Sequence, residues 1–296
     1  MRNNKGFANG IIAAISYGTN PLFALPMYSN GLDANSVLFY RYFFAVIIYG
    51  VWIKLHKRIS FKISSKECLM LFCMAIIFSL SSLFLFEAFN YIEAGIACTI
   101  LFAYPIMVAA ISRIFFKEKF SWIIWGAMLT AIFGIYLLYG GKQNETLNIK
   151  GIIFVLLSSL MYAIYMVGIK QIKVLRRMKP DKLTFYVMLF GLSIYIWNLK
   201  FCMELKPIEN PLVLTCAIML ALFPTIISLE AISIAIKLIG PTYTAILGVL
   251  EPLTAIFFGI TLFNETLTLK IGIGIIIILL SVISVILNKQ KQENKL

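Results

Sequence analysis

Residues 91–122 read YIEAGIACTILFAYPIMVAAISRIFFKEKFSW, and a shift of 147 residues lays them on residues 238–269, LIGPTYTAILGVLEPLTAIFFGITLFNETLTL. Ile92 then falls on Ile239, Pro105 on Pro252, Phe116 on Phe263 and Glu118 on Glu265. Four identities alone would carry little. The shared plan carries more: an apolar run with a proline near its middle, a glutamate thirteen residues later, then a hydroxyl residue, Ser121 or Thr268, opening another apolar run. Two such copies half a chain apart mark a duplicated unit.

The medium in which this unit folds follows from composition. Of 296 residues, 61% are hydrophobic and 13% charged, with mean hydropathy +0.92. Soluble domains carry about 45–50% apolar and about 25% charged residues. The apolar stretches run for about 20 residues each without charge, which suits membrane-crossing helices and not the alternating strands of a barrel. Lipid accepts no backbone that is not hydrogen-bonded internally, so an all-α integral membrane protein is expected, with the lipid bilayer as its first partner. Runs of spanning length predict ten transmembrane helices near 7–28, 35–54, 67–89, 94–116, 121–140, 150–171, 182–200, 211–235, 240–262 and 268–288. They divide into two five-helix repeats, 1–141 and 142–296.

The net charge of +13 would suggest nucleic acid in a soluble protein. Here the basic residues gather in short loops, where the positive-inside bias places them, and no nucleic-acid partner is expected. One side of the ten-helix scheme receives only Lys142, Lys150, Lys200, Lys206 and Lys270. The other side, with both termini, receives the rest apart from Arg41. Both termini are therefore expected in the cytoplasm, on a multi-pass protein of the cell (inner) membrane. Five cysteines, most inside apolar runs, read as packing residues, and the single histidine, His56, lies in a basic loop with nothing to complete a site. The first apolar run is a full span without a small-x-small cleavage site, so it is not read as a signal peptide.

A repeat with an odd number of helices enters the membrane inverted relative to its partner. Inverted repeats of this kind are an architecture of secondary transporters, with the substrate site near the midplane between the halves. The chain also resembles the ten-helix EamA family of the drug/metabolite transporter superfamily. The resemblance rests on residues 10–21 (GIIAAISYGTNP), 38–42 (LFYRY), 94–105 with 115–118 (FFKE), and 240–241 (GP) leading to 250–253 (LEPL) and 263–265 (FNE). It covers essentially the whole chain. It implies alternating access around a cavity formed by helices 1, 3, 4, 6, 8 and 9. It also implies a small-molecule cargo of the amino-acid or related metabolite class moving outward by efflux.

Ionisable groups kept in hydrocarbon are functional candidates. Glu251 lies near the middle of the ninth span and directly precedes Pro252, a residue that should free the Gly248 carbonyl. Such a carboxyl could bind a proton, the candidate coupling ion, or a substrate amine; the alternative is a structural polar contact. Glu230, with Pro224, Thr225 and Ser228 upstream, is a second candidate, able to share a proton with Glu251 if helices 8 and 9 are neighbours. Arg41 reads either as half of a buried ion pair with Glu87 or as a bidentate clamp on a substrate carboxylate. Tyr17, Asn20, Pro21 and Pro26 mark a polar, interrupted first helix; Ser158, Tyr162 and Tyr165 share a face of the sixth. Pro105 and Pro252 are expected to break helices 4 and 9, and Glu118 and Glu265 to order the tight turns before Ser121 and Thr268. Glycines at 126, 134, 272 and 274 suggest close helix packing or a homodimer face.

No G-x-x-x-x-G-K-[ST] occurs and no loop could house a nucleotide-binding domain, so neither a cofactor nor catalysis is expected. The rival readings are an intramembrane enzyme and a scaffold for partner proteins. An enzyme would need a histidine or paired aspartates within a span, and a scaffold would have no need of charge at Glu251 and Arg41.

Overall fold

A computed structural model describes residues 2–57, 60–92, 97, 100–117, 122–139, 148–263 and 269–293. Among the described residues the secondary structure is helical, without a strand. The first repeat supplies α1 (Arg2–Tyr17), α2 (Asn20–Ser29), α3 (Ala34–Trp52), α4 (Ser65–Ala88), α5 (Tyr104–Phe116) and α6 (Trp122–Tyr139). The second supplies α7 (Ile149–Gln171), the short α8 (Lys173–Arg177), α9 (Pro180–Asn198), α10 (Pro211–Ala221), α11 (Ser228–Ile239), α12 (Pro241–Leu247), α13 (Leu250–Phe263) and α14 (Leu269–Glu293). Wider π-helical turns extend α3 over Ile53–Lys57 and join α10 to α11 over Leu222–Ile227.

Helix starts follow local chemistry. Ser64 and Glu67 form a reciprocal capping box at α4, Glu67 N–H donating to Ser64 Oγ (3.2 Å) and Ser64 N–H to Glu67 Oε2 (2.7 Å). Asn148 and Asn210 cap α7 and α10 through their side-chain oxygens. Pro180, Pro211 and Pro241 open α9, α10 and α12, where a missing N–H costs nothing. Four stretches are long and apolar enough to cross a membrane: Ala34–Lys57, Ser65–Ala88, Ile149–Gln171 and Pro211–Ile239. Other expected spans are divided by turns or have shorter apolar cores, such as Tyr104–Phe116 and Trp122–Gly134.

The divisions fall together in space. The first is the turn at Gly18-Thr19, between α1 and α2; a Cβ on Gly18 would stand 2.5 Å from the Glu251 carbonyl at the start of α13. Turns also precede α5, at Phe102-Ala103, and α13, at Gly248-Val249; a Cβ on Gly248 would stand 1.5 Å from the Tyr104 hydroxyl. Pro105 and Pro252 therefore do not sit at the breaks. They occupy the first turns of the helices that follow, positions that tolerate a residue without a donor. Nor is the Gly248 carbonyl free as expected: the tight turn hands it the Glu251 N–H at 2.9 Å.

Contacts between the halves come in matched pairs. A shift of 145 carries Ala13 onto Ser158, and a shift of 147 carries Ser81 onto Ser228. Ser228 Oγ donates to Ala13 O at 3.0 Å, and Ser81 Oγ donates to Ser158 O at 3.0 Å. By the same shifts Gly6 against Ile239 becomes Gly151 against Ile92; added Cβ atoms would meet the two isoleucine Cγ2 atoms at 2.6 and 2.8 Å. On α6 and α14, Ser281 Oγ donates to Ala127 O (2.6 Å), while the exchanged pair brings Gly134 against the Gly274 carbonyl. Residue i meeting j while the counterpart of i meets the counterpart of j is what a local two-fold relation produces. Gly134 and Gly274 thus serve close helix packing, whereas added Cβ atoms at Gly126 and Gly272 would meet nothing within 4 Å.

Interhelical hydroxyl bonds in membrane proteins average about 0.6 kcal/mol. Ser81→Ala and Ser228→Ala should each destabilise the protein by about that amount, and to the same extent as each other, when melting is followed in detergent. A large difference between them would argue against equivalent environments.

Candidate functional site

The matched contacts locate their own centre. Residues that map onto each other meet where the two-fold relation passes, and two such pairs are present. Tyr104 and Glu251 stand 147 residues apart, and the Tyr104 hydroxyl donates to Glu251 Oε1 at 3.3 Å. Tyr17 and Tyr162, related by the 145 shift of the first helix, stack with ring centroids 6.0 Å apart and planes 10° from parallel. Tyr104 packs edge-on against Tyr162 at 4.9 Å, so three tyrosines and one carboxylate form a continuous group. α5 packs on α7 and α12, and α1 on α11, α12 and α13, which brings the turn at Gly18 to the same place.

Arg41 reaches this group from α3. It is fully buried, with its guanidinium carbon 6.0 Å from the centroid of Tyr17, 5.9 Å from Tyr42 and 5.6 Å from Phe86. Nε donates to Thr225 Oγ1 (2.6 Å) and Nη2 to Pro224 O (3.1 Å), both in the π-helical turn between α10 and α11. That turn leaves carbonyls outside the regular ladder, which explains why a donor from another helix finds an acceptor there. These two nitrogens form the side-on edge that would grip a carboxylate bidentately, so the edge is already occupied. Nη1 is buried without a hydrogen-bond partner. Among the described residues no ion pair joins Arg41 to Glu87, whose Oε2 instead accepts from Asn90 at the end of α4.

At the break in the first helix, Thr19 Oγ1 donates to Ser16 O (2.7 Å) and Asn20 Nδ2 to Tyr17 O (2.9 Å). The carbonyls released by the turn are thus taken by neighbouring side chains. What remains unpartnered is Asn20 Oδ1, on a residue only 2% exposed. One buried donor, Arg41 Nη1, and one buried acceptor, Asn20 Oδ1, therefore flank Tyr17, since Arg41 lies over its ring and Asn20 binds its carbonyl.

Other expected site residues separate. Tyr165 is buried and reaches the group through Phe78, which packs on both Tyr165 (4.7 Å) and Tyr162 (6.2 Å). Ser158 is spent on Ser81. Glu230 does not join Glu251, although α11 does pack on α12: its side chain accepts from Tyr49 Oη (2.8 Å) and Lys57 Nζ (2.6 Å), in a cluster completed by Asp181. Glu118 and Glu265 lie outside the described residues. Tyr104 was missed because a tyrosine in an apolar run carries no charge to mark it; the repeat register, which sets Tyr104 on Glu251, was the available signal.

Comparison with known proteins places this architecture. An uncharacterized transporter of Bacillus subtilis (strain 168), YcbK, is 25% identical over 277 residues, covering 89% of this chain and 87% of that protein. A second uncharacterized transporter of the same organism, YdfC, is 32% identical over 76 residues, 26% of this chain and 25% of that protein. A solved crystal structure of a protein 14% identical in sequence superposes with TM-score 0.78, covering 98% of this chain and 99% of that one, which speaks to the fold. The family model of EamA-like transporters matches twice, over residues 4–140 and 149–287, one match for each copy of the duplicated unit. With both halves matched, the chain belongs to the EamA-like transporter family and is a multi-pass membrane transporter.

Proposed function

We propose that the chain is a ten-span secondary transporter whose two halves, 1–141 and 142–296, are inverted repeats rocking around the Tyr104–Glu251 contact. In this reading both termini are cytoplasmic, and a small amino acid or related zwitterionic metabolite moves outward by alternating access. The observation that carries it is the pair of buried, unpartnered polar atoms beside Tyr17. Leaving a buried donor or acceptor unpaired costs about 1–3 kcal/mol, and more for a charged group. Arg41 Nη1 would take the carboxylate of a zwitterion end-on, and Asn20 Oδ1 its ammonium. Glu251, held by Tyr104, supplies the second acceptor for an amine or the site of a coupled proton. Tyr17 and Tyr162 stand between these groups as the wall along which cargo passes. Glu230, expected from sequence to bind cargo, is assigned instead to the charged cluster near the basic end.

The test is untargeted mass spectrometry of spent medium from cells making the protein, its Glu251→Gln variant, or neither. An excess of one amino-acid-like metabolite class, at least about threefold and confined to the wild type, would support the reading. Identical media from all three would remove outward amino-acid transport as the function.

A further inference from the structure

In a molecule whose halves are related by a two-fold operation, any device present at one end and missing at the other is informative. The two mouths share a common pattern. At one, Tyr40 Oη donates to Lys206 O (3.0 Å) and Lys206 Nζ to Gly31 O (2.6 Å). At the other, the counterpart of Tyr40 by a shift of 146, Tyr186, donates to Phe61 O, and Lys182 Nζ donates to Lys62 O. Each mouth is thus closed by phenol and ammonium donors on loop carbonyls contributed by the opposite half.

Among the described residues only the second mouth, the basic one, carries ion pairs that join the two halves; the Lys200–Glu204 pair at the first lies within a single loop. Lys57, from the π-helical end of α3, binds Asp181 at the start of α9 and Glu230 on α11 (2.6 Å). Tyr49 Oη holds the other oxygen of Glu230 (2.8 Å), and the Trp52 ring lies 4.3 Å from Lys57 Nζ. All three charged side chains are less than a third exposed. Lys237, whose Nζ donates to Met178 O, lies close enough to sense Asp181. The shifts that match the repeats place Met203, Asn35 and Leu83 at the positions of Lys57, Asp181 and Glu230 in the other mouth. None of the three can form an ion pair.

We infer that Lys57, Asp181 and Glu230 form a one-sided ionic latch, which closes the basic mouth and must open once in each transport cycle. The inference rests on the alternating-access reading above. Lys57 comes from the first repeat and both carboxylates from the second, so rocking the halves apart at this end separates the charges. Among the described residues the bonds that cross the opposite mouth go to neutral acceptors, and Asp33 there is bound by Ser36 of its own half, so the resting protein is biased toward opening at that end. Removing the lysine does more than delete a bond: it leaves two carboxylates facing each other in a partly buried site, which favours separation of the halves.

The experiment replaces Cys68, Cys73, Cys98, Cys202 and Cys216 and introduces one reporter at a time. Thr184→Cys lies one turn inside the latch, and Leu38→Cys is its counterpart near the other mouth; both native residues are buried. Reaction of the purified protein in detergent with a bulky, membrane-impermeant maleimide is timed with and without Lys57→Met. The latch predicts about a tenfold or greater rise in rate at the Thr184→Cys reporter, with no rise at the Leu38→Cys reporter, because a population shift opens one mouth at the expense of the other. The charge exchange Lys57→Asp with Asp181→Lys should return the slow rate. Rates at the Thr184→Cys reporter within about twofold of the parent, or equal rises at both reporters, would overturn the latch, the latter as general loosening. No cargo is needed for labelling, so a failed latch leaves the export reading to the medium analysis. Conversely, a medium without cargo leaves the labelling result standing.

Discussion

Gly248→Ala should lower the transport rate by at least about 100-fold, equivalent to about 2.7 kcal/mol of lost transition-state stabilisation, although it adds a single methyl group. The backbone at Gly248 is ordinary right-handed helix (φ −58°, ψ −15°), so alanine is conformationally welcome there. The obstacle is Tyr104, whose hydroxyl occupies the space of the missing Cβ, 1.5 Å from where that atom would stand. An ordinary contact requires the phenol to retreat by about 2 Å, and a 3.3 Å hydrogen bond to Glu251 does not survive that movement. Overpacking of this kind costs about 1–3 kcal/mol of stability, which a marginally loosened membrane protein can absorb while losing its site geometry. Tyr104→Phe removes the hydroxyl without moving the ring, so it should lose less activity than Gly248→Ala. In the double variant the nearest phenyl atom is Cζ, 2.8 Å from the new methyl. Its effect should therefore fall well short of the sum of the single effects, since the two positions compete for one volume. Additive losses, measured as extracellular accumulation of the cargo class proposed above, would mean that Gly248 acts through something other than Tyr104.

The same pair illustrates what the amino-acid sequence can carry. Duplication was legible because apolar runs, prolines and glutamates recur at one spacing, and the register alone sets Tyr104 opposite Glu251. Arg41 and Glu251 stood out because charge in an apolar run is costly and therefore conspicuous. The partners of those charges were not legible. Helices 8 and 9 are neighbours as expected, yet Glu230 and Glu251 join different clusters, because rotation about a helix axis decides which way a side chain faces. The π-helical turn before Ser228 shifts that rotation. Helix breaks were misplaced by a few residues for a related reason. Proline marks where a donor is missing, and a chain can meet that condition by starting a new helix at the proline instead of bending an old one. The charged cluster at Lys57 escaped notice because lysine and aspartate near helix ends are usually solvated. Only the packing of α3 on α9 and of α9 on α11 brings them together.

Arg41→Met separates a residue kept for cargo from one kept for folding. The guanidinium is fully buried, has aromatic rings on several sides and makes two hydrogen bonds to neutral acceptors, leaving Nη1 unpartnered. Among the described residues no carboxylate forms an ion pair with it. Removing an ion from water costs several kcal/mol even after relaxation, and two neutral bonds with cation–π contacts of about 0.5–2 kcal/mol each offset only part of this. Methionine fills similar volume, carries no charge and adapts to irregular surroundings. The expected result is a melting temperature unchanged or raised by about 2–4 °C, since about 1 kcal/mol moves a chain of this size class by that much. Transport should fall below about 1% of the parent, because the one unpaired cationic donor beside Tyr17 among the described residues is gone. The Thr225 hydroxyl keeps its own bond to Leu220 O (2.8 Å), so the π-helical turn retains an internal tie when the arginine is absent. A melting temperature depressed by 10 °C or so, with transport per folded molecule preserved, would make Arg41 a strut between α3 and that turn. In that case the site for the carboxylate of the proposed cargo would have to be sought elsewhere.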